Sequence, residues 1–177
     1  MISDFVKGRK QYDYSPEVQI GIKLHREIDN FTDAHEATRK AKEYFRPVYR
    51  LYSGALTDVV FDHFLAIEPS VFSETSLLDF SRQVYTELEK HQSIFPPRFA
   101  YMFPYMKEQN WLFNYRQTSG AEKSLAGVIR RAAYLEDAAP AIELFHQNYQ
   151  SLQEIFRQFW PELHVFTHEK WQNSLNQ

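Results

Sequence analysis

The sequence predicts an all-α fold, a single-domain helical bundle. Apolar residues recur at steps of three and four along most of the chain, which is the period of an amphipathic helix. Strand-like alternation is rare, and only 5 glycines occur in 177 residues. A chain of this length is expected to form one domain, 1–177, with a real core.

The elements follow in order. Ser15-Pro16 is a good helix start, with a cap residue followed by proline at the first helical position, and predicts a helix over about 16–30. Asp33 and Glu36 form a capping-box pattern for a second helix to about 44. Pro47 opens a further turn or short helix that Ser53-Gly54 breaks. The next run is apolar almost all round (Leu56, Val59, Val60, Phe61, Phe64, Leu65), as a buried helix reads, and Pro69 closes it. A helix over about 76–91 comes next, then an aromatic segment from Pro96-Pro97 to Tyr115. Ser119 and Glu122 suggest a cap for a helix to about 131. From Pro140, a stripe of Ile142, Phe145, Tyr149, Leu152, Phe156 and Phe159 predicts one long amphipathic helix, ended or kinked at Trp160-Pro161.

Composition narrows the function. A formal net charge of −3 argues against a general nucleic-acid binder. Cysteine is absent, which excludes disulfides, thiolate–zinc sites and cysteine nucleophiles and fits a reducing cytoplasm. No apolar stretch is long enough to span a bilayer, and no charged-then-apolar leader opens the sequence, so a cytoplasmic protein away from membranes is expected. The 16% aromatic content suggests a core or groove lined with rings.

Two stretches carry chemistry, GIKLHREIDNFTD (21–33) and TDVVFDHFLA (57–66). His25 and Asp29 are one helical turn apart, so both side chains reach one point. Such a pair chelates a first-row divalent metal from a rigid helix, or forms a plain surface pair. Asp58 and Asp62 repeat the spacing and His63 follows directly. Carboxylates in so apolar a helix need compensation, either a metal or an arginine such as Arg26 or Arg50. Asp33 reads as a cap. Arg39, Lys40, Lys42, Arg46 and Arg50 lie within twelve positions, as a solvated face or a docking surface for an anionic partner. Arg98 and Arg116, in the aromatic segment, suit phosphate as well.

HREIDNFTD, DVVFDHFL, FPPRF and NWLFNYR, in this order, together with Ser3-Asp4-Phe5-Val6-Lys7-Gly8, resemble the bacterial acyl carrier protein phosphodiesterases over essentially the whole chain. The resemblance implies an all-helical fold related to HD-domain phosphohydrolases. It also implies manganese-preferring hydrolysis of the phosphodiester that joins 4′-phosphopantetheine to a serine of acyl carrier protein. Carried over by motif, Asp4, His25, Asp29, Asp62 and His63 are the expected metal ligands. Asp58 is expected to orient the attacking water and Arg26 to offset charge on the phosphate. Arg39, Lys40, Lys42, Arg46 and Arg50 are expected to steer the acidic carrier protein. Members of the family usually carry an N-F-L-A-H-like segment about twenty residues before the D-F-[VI]-[KR]-G motif, and the sequence has no counterpart of it. Two rivals remain open: an HD-type hydrolase of a small phosphoester, and a protein that binds acyl carrier protein without cleaving it.

Overall fold

The computed structural model describes residues 1–132 and 137–175, and among these there are helices and no strands. Two short 3-10 turns, Ser3–Phe5 and Gly8–Asp13, precede α1 (Pro16–Ala34), which starts at Pro16 as expected but runs four residues longer than the sequence suggested. Asp33 therefore lies inside α1. The cap of α2 (Glu36–Tyr49) is His35, whose Nδ1 accepts the Ala37 amide at 3.1 Å. α2 also runs through Pro47. The proline removes one hydrogen bond within a turn of the helix end, while Phe45 and Tyr49, four residues apart, both bury on the core.

Arg50 then takes a positive φ of 43°, rare for a residue with a Cβ, and reverses the chain through a 3-10 turn, Arg50–Tyr52, into α3 (Ser53–Ala66). α4 (Glu74–Lys90) opens with a reciprocal capping box between Ser73 and Ser76. α5 (Pro97–Glu108) follows Pro96, and Asn110, in the left-handed region at φ 45°, leads into the short α6 (Trp111–Asn114). In α7 (Thr118–Arg131) neither Ser119 nor Glu122 forms the expected cap. A Cβ at Gly120 would lie 1.9 Å from the Asn114 carbonyl oxygen, so the end of α6 and the start of α7 pack backbone to backbone. The expected long helix from Pro140 is two helices, α8 (Ala139–Gln147) and α9 (Tyr149–Leu175), parted at Asn148. Pro161 does not end α9. Beyond it, Phe166 stacks on Phe31 of α1 at 4.4 Å and Lys170 pairs with Glu27 at 3.3 Å, so the tail stays docked.

One large core joins α2, α3, α7, α8 and α9 through Phe45, Leu56, Val60, Phe64, Leu125, Ile129, Phe145, Leu152, Phe156 and Phe159. Each fully buried Leu or Phe contributes about 1.5–3 kcal/mol. A smaller cluster of Tyr85, Phe99, Phe103 and Met106 takes in Phe5 from the first turn and Trp111 and Leu112 from α6. The N-terminal turns are thereby fastened at two points. Phe5 meets Phe99 at 5.6 Å, and Arg26 of α1 donates to the Val6 carbonyl at 2.7 Å and to Gln11 Oε1 at 2.5 Å. Those contacts set Asp4 beside α1. Among the described residues no helix is long and apolar enough to cross a membrane.

Candidate metal centre and substrate trough

α3 is buried on almost every side, yet Asp58 and Asp62 lie on its one open stripe. They were expected among apolar groups. Instead they face a concavity of about 460 Å³ shared with Asp4, Asp29 and Asp33 and backed by Phe61, Phe156 and Trp160. Both carboxylates reach solvent but have protein on most sides, so water supports their ionised forms less than it would on an open surface. That crowding, with Asp33 adding repulsion, raises Asp58 to about 6 against a smaller opposing pull from Lys42. Asp62 rises to about 7, through crowding first and then repulsion by Asp58 and Asp4, although the Tyr115 hydroxyl donates a hydrogen bond to it.

His25 stands beside Asp4 and Asp29. Its Nδ1 is 2.9 Å from Asp29 Oδ2, and its Nε2 is 3.7 Å from Asp4 Oδ1. Donor atoms of Asp4, His25 and Asp29 all lie within 4.8 Å of one another, close enough to converge on one ion with small side-chain rotations. Two carboxylates and an imidazole, with Asp62 and Asp58 on the adjoining wall, suit a divalent first-row metal of the Mn²⁺ type.

His63 is not part of this set. Successive helical residues point about 100° apart, and here Asp62 takes the trough side while His63 points into the core. His63 is fully buried, and its Nδ1 donates to the Tyr115 carbonyl at 2.6 Å. Burial lowers its pKa, so the ring is neutral and Nε2 accepts the Tyr149 hydroxyl at 2.8 Å. Neither ring nitrogen is free for a metal. Arg26 is likewise engaged, holding the Asp4 turn to α1 rather than facing the trough.

The basic stretch divides. Lys42, Arg46 and Arg50 line a concavity of about 650 Å³ that includes Asp33 and Asp58, so it opens directly onto the acidic one. Leu51, 97% exposed, stands at its edge with half-exposed Val48 nearby. Arg39 and Lys40 do not line it, and Lys40 pairs with Glu36 at 2.8 Å. Lys42 is held by Asp33 at 2.7 Å and Arg46 by Glu43 at 2.6 Å.

On the opposite side Asp4, His25 and Asp62 also border a cleft of about 1330 Å³ between the first turn, α5, α6 and α7. Phe99, Tyr101, Met102, Tyr105 and Trp111 form its walls, with Arg98, Arg130 and Arg131. Arg116 is elsewhere, paired with Glu74 at 3.2 Å. Sequence reasoning missed Tyr115, Arg130 and Arg131. Tyr115 reads as one more core aromatic, and a basic pair in the last turn of a helix is ordinary there. The Tyr115 hydroxyl is driven up to about 12 by burial and by Asp62, with Ser124 and Arg131 opposing.

A model of the acyl carrier protein phosphodiesterase family matches residues 1–163. Proteins named acyl carrier protein phosphodiesterase are similar to the chain. That of Serratia proteamaculans (strain 568) is 33% identical over 168 residues, covering 92% of this chain and 85% of its own. That of Yersinia enterocolitica serotype O:8 / biotype 1B is 31% identical over 164 residues, with the same two shares. No solved structure matches the chain.

Proposed function

The chain belongs to the acyl carrier protein phosphodiesterase family, and from that premise we propose that it hydrolyses the phosphodiester between 4′-phosphopantetheine and a serine of holo-acyl carrier protein. The observation that carries this is the trough: a basic mouth, an acidic centre and an aromatic cleft share walls through Asp33 and Asp58 on one side and Asp4 and Asp62 on the other. A protein-borne phosphodiester on a long arm needs three such zones in that order. The acidic carrier docks at Lys42, Arg46 and Arg50, its serine reaches the centre, and the arm lies along the rings of the cleft.

Asp4, His25, Asp29 and Asp62 would hold a divalent ion, Mn²⁺ by preference. When bound, such an ion supplies positive charge against the phosphate oxygens and makes water more acidic. Asp58, poised at about 6, accepts the proton of the attacking water at neutral pH. The water oxygen bonds to phosphorus, the bond from phosphorus to the serine oxygen breaks, and the serine oxygen ends protonated. Tyr115 holds Asp62 by its hydroxyl, and Arg26 keeps Asp4 in reach of His25. A cytoplasmic setting fits that substrate and a chain without cysteine.

Incubation with holo-carrier protein and Mn²⁺ is expected to shift the carrier's mass to that of the apo form. Asp29→Ala and Asp62→Ala should each lower the rate by a factor of about 10³, roughly 4 kcal/mol of transition-state stabilisation. Unchanged rates would sink the roles given to these residues. Cleavage of small phosphodiesters in place of the carrier would favour an HD-type hydrolase, and carrier binding without a mass change would leave a docking protein.

A further inference from the structure

Arg98, Arg130 and Arg131 all border the aromatic cleft, and none has a carboxylate partner among the described residues. Two of the three cations of the basic mouth do: Lys42 is paired with Asp33 and Arg46 with Glu43. Among the described residues these three guanidinium groups are without a paired carboxylate, and a phosphodiester would bring them one negative charge. A phosphomonoester carries nearly two.

Arg131 has the most defined setting. Its guanidinium lies against the bare backbone of Gly127, where a Cβ would meet Nη1 at 3.2 Å, so this glycine leaves room for the side chain to fold along α7. From there its charge is felt at the Tyr115 hydroxyl, the same hydroxyl that donates to Asp62. Arg131 thus borders the same cleft as Tyr115, Asp4 and Asp62, whereas Lys42, Arg46 and Arg50 line the separate basic mouth.

We infer that Arg131, with Arg130 and Arg98, forms a phosphomonoester-binding subsite in the aromatic cleft that receives the phosphoryl group of the released arm. The phosphodiesterase reading supplies the identity of that arm. The planar fork of arginine matches the oxygens of a terminal phosphate, and Phe99, Tyr101 and Trp111 offer apolar faces to the chain attached to it. The subsite gives the trough a polarity. The carrier leaves from the α2–α3 side, and the small phosphorylated product stays until it dissociates from the α5–α7 side.

The test is calorimetric titration of 4′-phosphopantetheine, and separately of inorganic phosphate, into the full chain with Mn²⁺ present. Both should bind wild type, phosphopantetheine more tightly because the walls contribute. Arg131→Gln should weaken phosphopantetheine at least 10-fold, while Arg116→Gln, outside the cleft, should leave it within 2-fold. Gly127→Ala sharpens the test. Alanine in place of a helical glycine should raise Tm by about 2–4 °C, yet the new Cβ would nudge the guanidinium by a few tenths of an ångström and should weaken binding about 2-fold. Equal affinities in wild type and Arg131→Gln, or no binding to wild type, would overturn the subsite. Turnover of holo-carrier with Arg131-independent binding rejects the subsite and keeps the phosphodiesterase reading. Arg131-dependent binding without turnover does the reverse.

Discussion

His25 and His63 sit in two helices with similar signatures, each histidine close to aspartates one turn apart, and the fold uses them in opposite ways. His25 is on the open side of α1 with a carboxylate near each ring nitrogen. His63 is inside the core with a carbonyl on one nitrogen and a tyrosine hydroxyl on the other. Spacing decides which side chains share a face; packing decides what that face meets. In α1 the His/Asp face is left outward because Phe31, on the other side, packs against the tail of α9. In α3 almost the whole circumference is covered, and only the stripe of Asp58 and Asp62 escapes.

The comparison predicts a clean exchange of phenotypes. His63→Ala removes a packed ring and leaves the Tyr115 carbonyl and Tyr149 hydroxyl without their partner, so it should cost about 3 kcal/mol or more in chemical denaturation. His25→Ala should change stability by less than about 1 kcal/mol, since its pairs are partly exposed, while abolishing metal-dependent turnover. The contrast breaks if His25→Ala is the variant that unfolds. Some loss of rate in His63→Ala is also expected, because Tyr115 carries both the His63 contact and the Asp62 contact.

A smaller effect separates the mouth from the centre. Charge reversal in Arg46→Glu should raise KM for the carrier about 10-fold with kcat little changed, and added salt should weaken wild-type binding in the same direction. Arg50→Gly is the more telling variant. Glycine tolerates the positive φ that strains arginine there, so the fold should be no less stable while the docking charge is lost. A KM that ignores both substitutions and salt would remove the basic mouth from the reading.

Much of this was legible in the sequence. The helices, the buried character of α3 and the pairing of His25 with Asp29 all follow from period and composition. His63 was read with Asp62 because the two are adjacent in sequence, but the ring packs in the core with both nitrogens engaged. Arg26 looked available because its partners, the Val6 carbonyl and Gln11, lie in irregular turns that no periodicity reports. Arg130 and Arg131 were passed over since a basic pair in the last turn of a helix is ordinary, and only the fold brings that turn to the cleft. Pro47 was read as opening a new turn and Pro161 as an end or kink, but helices flanked by buried aromatics tolerate the loss of one backbone hydrogen bond.

The smallest predicted effect is also the one that reads the two helix faces against each other. In metal-free protein Asp58 and Asp62 titrate near 6 and 7, above their unfolded value of 3.8. The native state therefore holds protons that the unfolded chain has released, and between about pH 4 and 7 these groups make stability fall as pH rises. His63 acts in the opposite sense. Its pKa is lowered by burial, so below its ordinary value of 6.5 the unfolded chain takes up the extra proton, and stability rises with pH towards that value. A wild-type profile mixes the two, so the measurement should be a difference. With chelator present, the stability of Asp62→Asn relative to wild type should grow from pH 4 to pH 7 and then level off. The His63 contribution cancels in that subtraction. The gain will be modest because the carboxylate still reaches solvent. With Mn²⁺ the order should invert at neutral pH, since binding requires the ionised carboxylates and the asparagine cannot supply that charge. A difference that stays flat with pH in chelator would mean that the open stripe of α3 is as well solvated as ordinary surface, and that Asp62 owes nothing to its crowded setting.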